Sequence, residues 1–290
     1  MKRIALIFAT AISLQAQTPY QDKFITVNGL RLHYLDWGAE GKQPFIMLHG
    51  IGRIAHSFDH IAPHFHKDYH VIALDMRGHG DSQWSPEAAY LVEDYARDLE
   101  AFLDQLRLRD VILLGNSTGG RVVQYYAGTH PERMAKLIVE DVGPERTDEI
   151  AFGFAHRVEV EQNGWASEDE LVSSLMRSGG KTSEQLQRNY AHFGSKRRED
   201  GRIVWKRDPN LVKGFIPTEL WDQVLQIRCP TIYILGGASL IVPERTQQRL
   251  RESLPAVQIV TMPKLGHYPD QEAPEDYVRI VQKFLSGQRQ

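Results

Sequence analysis

Short apolar runs alternate along this chain with longer stretches of amphipathic sequence. Six runs of four or five residues, rich in β-branched and other apolar side chains, are typical of buried strands: residues 44–48, 71–74, 111–114, 136–139, 231–235 and 257–261. Residues 92–108 instead repeat apolar positions at a helical spacing, and residues 244–254 and 274–285 are also predicted helices. This alternation predicts a mostly parallel sheet that helices cover on both faces.

Two β-rich runs precede this alternating part of the chain. Residues 24–27 and 30–34 flank the dipeptide Asn28-Gly29. Asn-Gly between two such runs is the strongest short-range sign of a β-hairpin, because both residues tolerate the positive φ angles of a type I′ turn. We therefore predict an antiparallel hairpin here.

The alternation stops after Pro144 and resumes near residue 222. The intervening stretch has weak strand signals, frequent charges and two predicted helix starts, at residues 167–170 and 182–184. We expect most of its large aromatic residues to pack between this stretch and the rest of the fold and some to line a substrate pocket. These aromatic residues are Phe152, Phe154, Trp165, Tyr190, Phe193, Trp205, Phe215 and Trp221.

Length and composition indicate one large folded unit with an insertion. The chain has 290 residues, 42% of them hydrophobic, so it can bury a core without disulfides. The formal net charge of −3 gives no sign of a nucleic-acid surface, and the single cysteine, Cys229, excludes a disulfide framework. We expect a small neutral substrate and no nucleic-acid partner, and the oligomeric state stays open.

The first residues have the pattern of a secretory signal peptide. Basic Lys2 and Arg3 precede an apolar segment, residues 4–14, that is too short to span a bilayer. Cleavage after Ala16 would release a periplasmic or secreted bacterial protein without a membrane span. The alternative is an N-terminal apolar helix on a cytosolic protein.

One strand-to-helix junction carries the motif of a catalytic nucleophile. Residues 115–119 read Gly-Asn-Ser-Thr-Gly, directly after an apolar strand and before a helix-compatible segment. The glycines allow a sharp turn that would push the Ser117 hydroxyl out of the sheet toward a substrate. This motif and its setting resemble the nucleophile elbow of the α/β-hydrolase superfamily, and the resemblance extends along nearly the whole chain after residue 20. The alternative is a glycine-rich turn with an ordinary serine.

The resemblance implies an α/β fold, with a mostly parallel α/β-hydrolase sheet flanked by helices and a helical cap inserted after the sixth strand. Together with the N-terminal pattern, it divides the chain into a signal peptide (1–16), a hydrolase core (17–143 and 222–290) and a cap (144–221). The implied branch is that of capped serine hydrolases, either esterase-like or C–C hydrolase-like.

The same resemblance assigns further residues of the site. His267 matches the catalytic histidine and would be the general base for Ser117. The backbone N–H groups of Ile51 and Thr118 would form the oxyanion hole. Residues 75–82 match the D-x-R-G-x-G-x-S loop, which shapes the floor of the site in the family.

The acid of the triad is missing from the place where the family most often has it. In the pattern G-x-x-D-x-x-V-P, Ser239 stands at the acidic position, and no shift by one residue restores a carboxylate. Some members take the acid from the end of the strand before the cap, where this chain has Glu140 and Asp141. Successive strand side chains point to opposite faces, so only one of the two could reach His267. We choose Asp141, because it is the better match to the family's pattern of apolar residues, Asp, two small or apolar residues and Pro. Three alternatives remain: Glu140 as the acid, Asp141 as a helix cap or a partner of Arg146, and a triad that has decayed.

Five histidines crowd the chain between the third and fourth predicted strands, at positions 56, 60, 64, 66 and 70. The first three are spaced four residues apart, as on one face of a helix. A zinc site needs three or four converging ligands, no carboxylate or thiol completes a set, and Pro63 ends the helix before His64. We therefore predict a solvated histidine-rich face and no metal.

The predicted activity is hydrolysis of a carboxylic ester or lactone by Ser117, His267 and Asp141, without a cofactor. A serine nucleophile in place of an aspartate argues against the epoxide hydrolase and haloalkane dehalogenase branches. Cleavage of a C–C bond in a diketone-type substrate uses the same triad and is the enzymatic alternative. A ligand-binding protein with a hydrolase fold and a decayed triad is the non-enzymatic alternative.

Overall fold

Eight strands form one mostly parallel sheet in the computed structural model, which describes residues 20–145, 156–159, 161–178, 180–211, 218–254 and 256–288. The strand order is β1-β2-β4-β3-β5-β6-β9-β10, and every neighbouring pair from β4 onward is parallel. A separate antiparallel pair is formed by β7 and β8. The strands are β1 (Gln21–Val27), β2 (Leu30–Asp36), β3 (Pro44–Leu48), β4 (His70–Leu74), β5 (Val111–Asn116), β6 (Met134–Glu140), β7 (Ser195–Arg197), β8 (Ile203–Trp205), β9 (Thr231–Gly236) and β10 (Val257–Met262).

Helices cover both faces of the sheet, and the strands β3, β4, β5 and β9 are buried along their whole length. In β5, Leu113 packs into one apolar cluster with α1 and α2, whereas Ile112 and Leu114 pack into a second cluster with α8. The predicted mostly parallel sheet flanked by helices is thereby confirmed. The helices are α1 (Val92–Gln105), α2 (Ser117–Thr129), α3 (Glu168–Arg177), α4 (Glu184–Gly194), α5 (Trp221–Val224), α6 (Glu244–Ser253), α7 (Pro269–Glu272) and α8 (Pro274–Leu285).

The predicted hairpin is present between β1 and β2. The two strands pair in antiparallel register up to Val27 and Leu30, and the turn residues Asn28 and Gly29 have φ angles of 49° and 77°. Two positive φ angles match the twist of the strands, which explains the Asn-Gly dipeptide at this position.

Residues 144–221, predicted as a helical cap and called the insert below, contain α3, α4 and the β7–β8 hairpin in their described part. Both predicted helix starts are confirmed: Ser167 Oγ accepts a hydrogen bond of 3.2 Å from Glu170 N, and Ser183 Oγ accepts one of 3.4 Å from Leu186 N. Seven buried side chains around these elements form a small core of their own, which includes Ile54 from the loop after β3.

The β7–β8 hairpin was not expected in a helical insert. Its turn contains Gly201 at a φ angle of 85°, and β8 supplies a β-branched and aromatic run, Ile203–Trp205. Each strand has only three residues, which is too short for a clear alternating pattern in the sequence.

The prediction of one solvated helical face of histidines is wrong for the helix and for His56 and His70, although His64 is exposed. The chain forms two short 3₁₀ helices, Ala55–Phe58 and Ala62–His64, whose apolar residues turn into the core. His56 is buried and its ring stacks on Phe193 at a centroid distance of 3.7 Å. His70 is also buried, and its Nε2 lies 3.0 Å from Asp36 Oδ1. The sequence shows how the histidines are spaced, but it does not show which distant side chains bury His56 and His70.

Several predictions fall outside the residues that the structure describes. These are the signal peptide over residues 1–16, the partner Arg146, and the aromatic residues Phe152, Phe154 and Phe215. Within the described ranges, no helix is both long enough and apolar enough to cross a bilayer.

Candidate active site

Ser117 lies at the junction of β5 and α2 in a left-handed backbone conformation, with a φ angle of 49°. It is half-buried, whereas its neighbours Asn116 and Thr118 are buried. Gly119 N donates a hydrogen bond of 3.1 Å to His49 O, and a Cβ atom on Gly119 would lie 2.2 Å from Leu48 O. Only glycine therefore allows the elbow to pack against the end of β3, and the turn presents Ser117 outward.

The loop after β3, residues 49–53, lies directly against this elbow. A Cβ atom on Gly50 would lie 3.1 Å from Ser117 Cβ and 2.7 Å from Asn116 Oδ1. Ile51 follows Gly50, and Thr118 is in the first turn of α2, where backbone N–H groups have no carbonyl four residues earlier within the helix. The two predicted oxyanion donors thus belong to segments that meet at Ser117.

The structure brings Asp141 and His267 together, although 126 residues separate them in sequence. His267 Nδ1 lies 2.7 Å from Asp141 Oδ2, and the carboxylate is buried. Asp141 directly follows β6 and has a φ angle of 45°. Gly236 N, at the end of β9, donates a hydrogen bond of 2.9 Å to Asp141 Oδ1. The carboxylate is therefore held beside the imidazole by the end of the neighbouring strand.

Ser239, which stands at the usual acidic position, contacts the same carboxylate. Its Oγ donates a hydrogen bond of 2.6 Å to Asp141 Oδ2 and accepts one of 3.3 Å from Ile241 N. With His267 and Gly236, this hydroxyl completes a set of three donors that fixes the orientation of the carboxylate.

The His267 loop is also tied to the elbow. Asn116 Nδ2, one residue before Ser117, donates a hydrogen bond of 3.4 Å to His267 O. Burial alone would lower the pKa of His267, but the hydrogen bond and charge of Asp141, together with Tyr268, raise it above its usual value. The imidazolium is thus stabilised in the protonation state that a general base reaches after it accepts a proton.

The Glu140 side chain contacts α7 and α8, the two helices that follow His267. Its Oε1 accepts a hydrogen bond of 2.9 Å from Asp270 N, and Tyr277 Oη lies 3.5 Å from its Oε2. The side chain is fully buried, and this burial together with the nearby Asp270 raises the Glu140 pKa well above the usual value. The protonated, uncharged form of Glu140 is therefore favoured, and its role beneath the His267 loop is structural.

Arg53 and Tyr268, near His267, were given no role by the sequence analysis, which named Tyr190 only among the aromatic residues of the insert. The Arg53 guanidinium carbon lies 4.2 Å from the ring centroid of Tyr268 and 4.4 Å from that of Tyr190, in α4 of the insert. Burial would raise the pKa of Tyr268, but the positive charge of Arg53, His267 and Arg157 lowers it to about 8. For Arg53, the only sign in the sequence was its position two residues after Ile51, a predicted oxyanion donor.

One cluster of potential metal ligands occurs within the described residues, at His33, Asp75 and Asp81. Asp75 Oδ2 already bonds to His33 Nδ1 at 2.7 Å and to Asp81 N at 3.0 Å, and its Oδ1 accepts a hydrogen bond of 2.6 Å from Ala55 N. The carboxylate therefore ties the loop of residues 75–82 to β2 and to the chain after β3, which is a structural role.

Comparison with known proteins identifies the family. A family model described as the alpha/beta hydrolase fold matches residues 43–270, so the chain belongs to this family, and the resemblance in its motifs is confirmed. An alpha/beta hydrolase from Novosphingobium aromaticivorans has a solved structure with a TM-score of 0.81 and 27% identity, and the alignment covers 93% of this chain and 99% of that one.

Two curated relatives have different named activities. The sn-1-specific diacylglycerol lipase ABHD11 of Mus musculus is 29% identical over 228 residues, which cover 74% of this chain and 71% of that protein. The 2-hydroxy-6-oxo-6-(2'-aminophenyl)hexa-2,4-dienoic acid hydrolase of Metapseudomonas resinovorans is 26% identical over 295 residues, 96% of this chain and 95% of that protein. Both are named as hydrolases or lipases, so the comparisons support a hydrolase but not one type of bond.

Proposed function

We propose that this protein is a serine hydrolase that cleaves a carboxylic ester or lactone. The observation that carries the proposal is the 2.7 Å contact between His267 Nδ1 and Asp141 Oδ2, in a loop that is hydrogen-bonded to the Ser117 elbow. A buried carboxylate on Nδ1 leaves Nε2 as the proton acceptor, which is the tautomer that a triad requires. Ser117 is the nucleophile, His267 the general base and Asp141 the acid that orients it.

In the proposed reaction, Ser117 Oγ attacks the carbonyl carbon while its proton moves to His267 Nε2. The negative charge on the carbonyl oxygen is held by the N–H groups of Ile51 and Thr118, each typically worth about 10² to 10³ in rate. The imidazolium then gives its proton to the departing alcohol, which leaves an acyl-enzyme. Water deprotonated by His267 hydrolyses this ester and frees Ser117. No step uses a cofactor.

A C–C bond hydrolase is the second candidate. It is favoured by the relative named as a hexa-2,4-dienoic acid hydrolase, whose alignment covers 96% of this chain. The same nucleophile and base serve both reactions, so the substrate distinguishes them. A ligand-binding protein with a decayed triad is less favoured. That alternative was raised because no acid stands at the usual position, and Asp141 lies beside His267 in its place.

The test compares the unmodified protein with Ser117→Ala on two substrates. Release of nitrophenol from p-nitrophenyl butyrate, lost in Ser117→Ala, would support ester hydrolysis. Loss of colour from a 2-hydroxy-6-oxo-dienoate, without nitrophenol release, would support the C–C hydrolase. Stabilisation by a ligand with no turnover of either substrate would contradict both enzymatic proposals.

A further inference from the structure

Arg53 is a cation built into the wall between the insert and the catalytic loop. Its guanidinium stacks between Tyr190, on α4 of the insert, and Tyr268, the residue after His267. The Tyr190 hydroxyl donates a hydrogen bond to Gly52 O, which holds the insert against the chain beside Arg53. The side chain thus occupies a fixed position next to the general base.

Within the described residues, no carboxylate forms an ion pair with Arg53. Its guanidinium faces the rings of Tyr190 and Tyr268, and the charge of Asp270 contributes to raising its pKa. Asp270 is buried beside Glu140, and His60 Nε2 lies 3.6 Å from its Oδ2. A guanidinium has five N–H donors in a planar fork, so Arg53 retains the capacity to bind a carboxylate through two parallel hydrogen bonds.

Asp141 and Tyr268 raise the pKa of His267, and Arg53 acts in the opposite direction. Its charge disfavours the protonated form of His267, the form that develops in the transition state. Arg157, from the insert, adds a second positive charge near Tyr268. Arg53 and Arg157 thus place positive charge near Tyr268, opposite in sign to the Asp141 carboxylate that contacts His267 Nδ1. A negative charge on the substrate beside Arg53 would weaken the repulsion between Arg53 and protonated His267, which forms in the transition state.

We propose that Arg53 is a specificity residue that binds a carboxylate on the substrate. This inference rests on the proposed function, and it makes the substrate an anionic ester or lactone in place of a neutral one. The ring centroids of Tyr190 and Tyr268 lie 4.4 and 4.2 Å from the guanidinium carbon, and the two rings restrict its movement, which limits the entropy lost when the carboxylate binds.

The test uses pairs of esters that differ by one carboxylate. Mono-p-nitrophenyl succinate, glutarate and adipate are paired with p-nitrophenyl butyrate, pentanoate and hexanoate, and 4-acetoxybenzoate is paired with phenyl acetate. For at least one pair, Arg53→Gln is expected to lower kcat/KM for the anionic ester by about tenfold or more, with a change of less than about threefold for the neutral ester. Arg53→Lys keeps the charge without the planar fork of donors. Its kcat/KM for the anionic ester is expected to lie between those of the unmodified protein and Arg53→Gln.

Arg31→Gln is the matched control. Arg31 also stacks on an aromatic ring, that of Phe24, but lies exposed on the β1–β2 hairpin. It should leave both members of every pair unchanged. If Arg53→Gln lowers kcat/KM of the anionic and neutral esters by the same factor in every pair, Arg53 is only a clamp between the insert and the core. That result would overturn the inference and leave the proposed hydrolase activity intact.

A binding measurement separates failure of the inference from failure of the proposed function. Calorimetric titration of the full chain with glutarate, and with neutral glutaramide as the comparison, needs no turnover. If no ester is hydrolysed but glutarate binds at least tenfold more weakly to Arg53→Gln, the subsite is supported and the ester hydrolase is not. Equal binding by both proteins, or none, together with inactivity would overturn the inference.

Discussion

Ser239 donates a 2.6 Å hydrogen bond to Asp141 Oδ2, the same oxygen that lies 2.7 Å from His267 Nδ1. The usual position of the acid therefore remains beside the imidazole but carries a hydroxyl, and the carboxylate comes from the end of the neighbouring strand. Because both side chains converge on one point, a carboxylate placed at either position is expected to serve the same histidine.

Exchange of the two positions tests this arrangement. We expect Asp141→Asn to lower kcat for p-nitrophenyl butyrate by about 10⁴, because the amide stabilises the wrong imidazole tautomer. Adding Ser239→Asp to Asp141→Asn is expected to recover at least tenfold of this loss. Steady-state kinetics of the single and double variants measures both effects.

The single variant Ser239→Ala is the control for this exchange. It removes one of the three hydrogen-bond donors to Asp141 and should lower kcat far less than Asp141→Asn does. If Asp141→Asn retained nearly full activity with its fold intact, Asp141 would not be the triad acid. A double variant no better than Asp141→Asn would show that position 239 cannot orient the histidine.

The pH dependence of His267 gives an independent prediction. A general base acts in its neutral form, and the pKa of His267 lies above the usual value near 6.5. The midpoint of the acidic limb in the pH profile of kcat/KM should therefore lie above pH 6.5. Side-chain NMR titration of His267 in Ser117→Ala should give a raised pKa, and adding Asp141→Asn should lower it, because burial would then dominate. A limb below pH 6.5 would be inconsistent with the Asp141 contact.

Local patterns predicted the elements that carry the proposed site. Asn28-Gly29 specified the hairpin, and the Gly-Asn-Ser-Thr-Gly motif after an apolar strand specified the elbow. Both signals are contained in a few consecutive residues whose backbone conformation depends on their own side chains. Strand alternation limited the triad acid to one of Glu140 and Asp141, and the choice of Asp141 came from the resemblance to the family's pattern at the end of the strand.

The contacts around these elements could not be predicted in the same way. Arg53 lies between two tyrosines that come from distant parts of the chain, and Glu140 meets Asp270 across 130 residues of sequence. The burial of His56 depends on Phe193 in the insert. Such contacts depend on how separate elements pack, and no periodicity within one segment records them.

Tyr268 should be recognisable by ultraviolet titration. The chain has 11 tyrosines, and the charges of Arg53, His267 and Arg157 lower the pKa of Tyr268 to about 8. We expect an absorbance step near 295 nm equivalent to one tyrosinate around pH 8. Tyr268→Phe should abolish the step, and Arg53→Gln should move it to higher pH. A step unchanged in Tyr268→Phe would assign it to another residue.

Glu140 should make stability depend on pH in a predictable direction. Its folded-state pKa is raised above the unfolded value by burial and by Asp270, so the folded protein keeps the proton that the unfolded chain releases. This contribution is fully present below the unfolded pKa, near 4.3, and is lost as pH rises toward the folded pKa. In urea unfolding at pH 5, 6 and 7, the free energy of unfolding of the unmodified protein should fall relative to that of Glu140→Gln as pH rises, with a slope of at most about 1.4 kcal/mol per pH unit for one proton. The glutamine keeps the volume of the side chain and an oxygen for Asp270 N but does not titrate. A constant difference between the two proteins across this range would mean that Glu140 is ionised in the folded state.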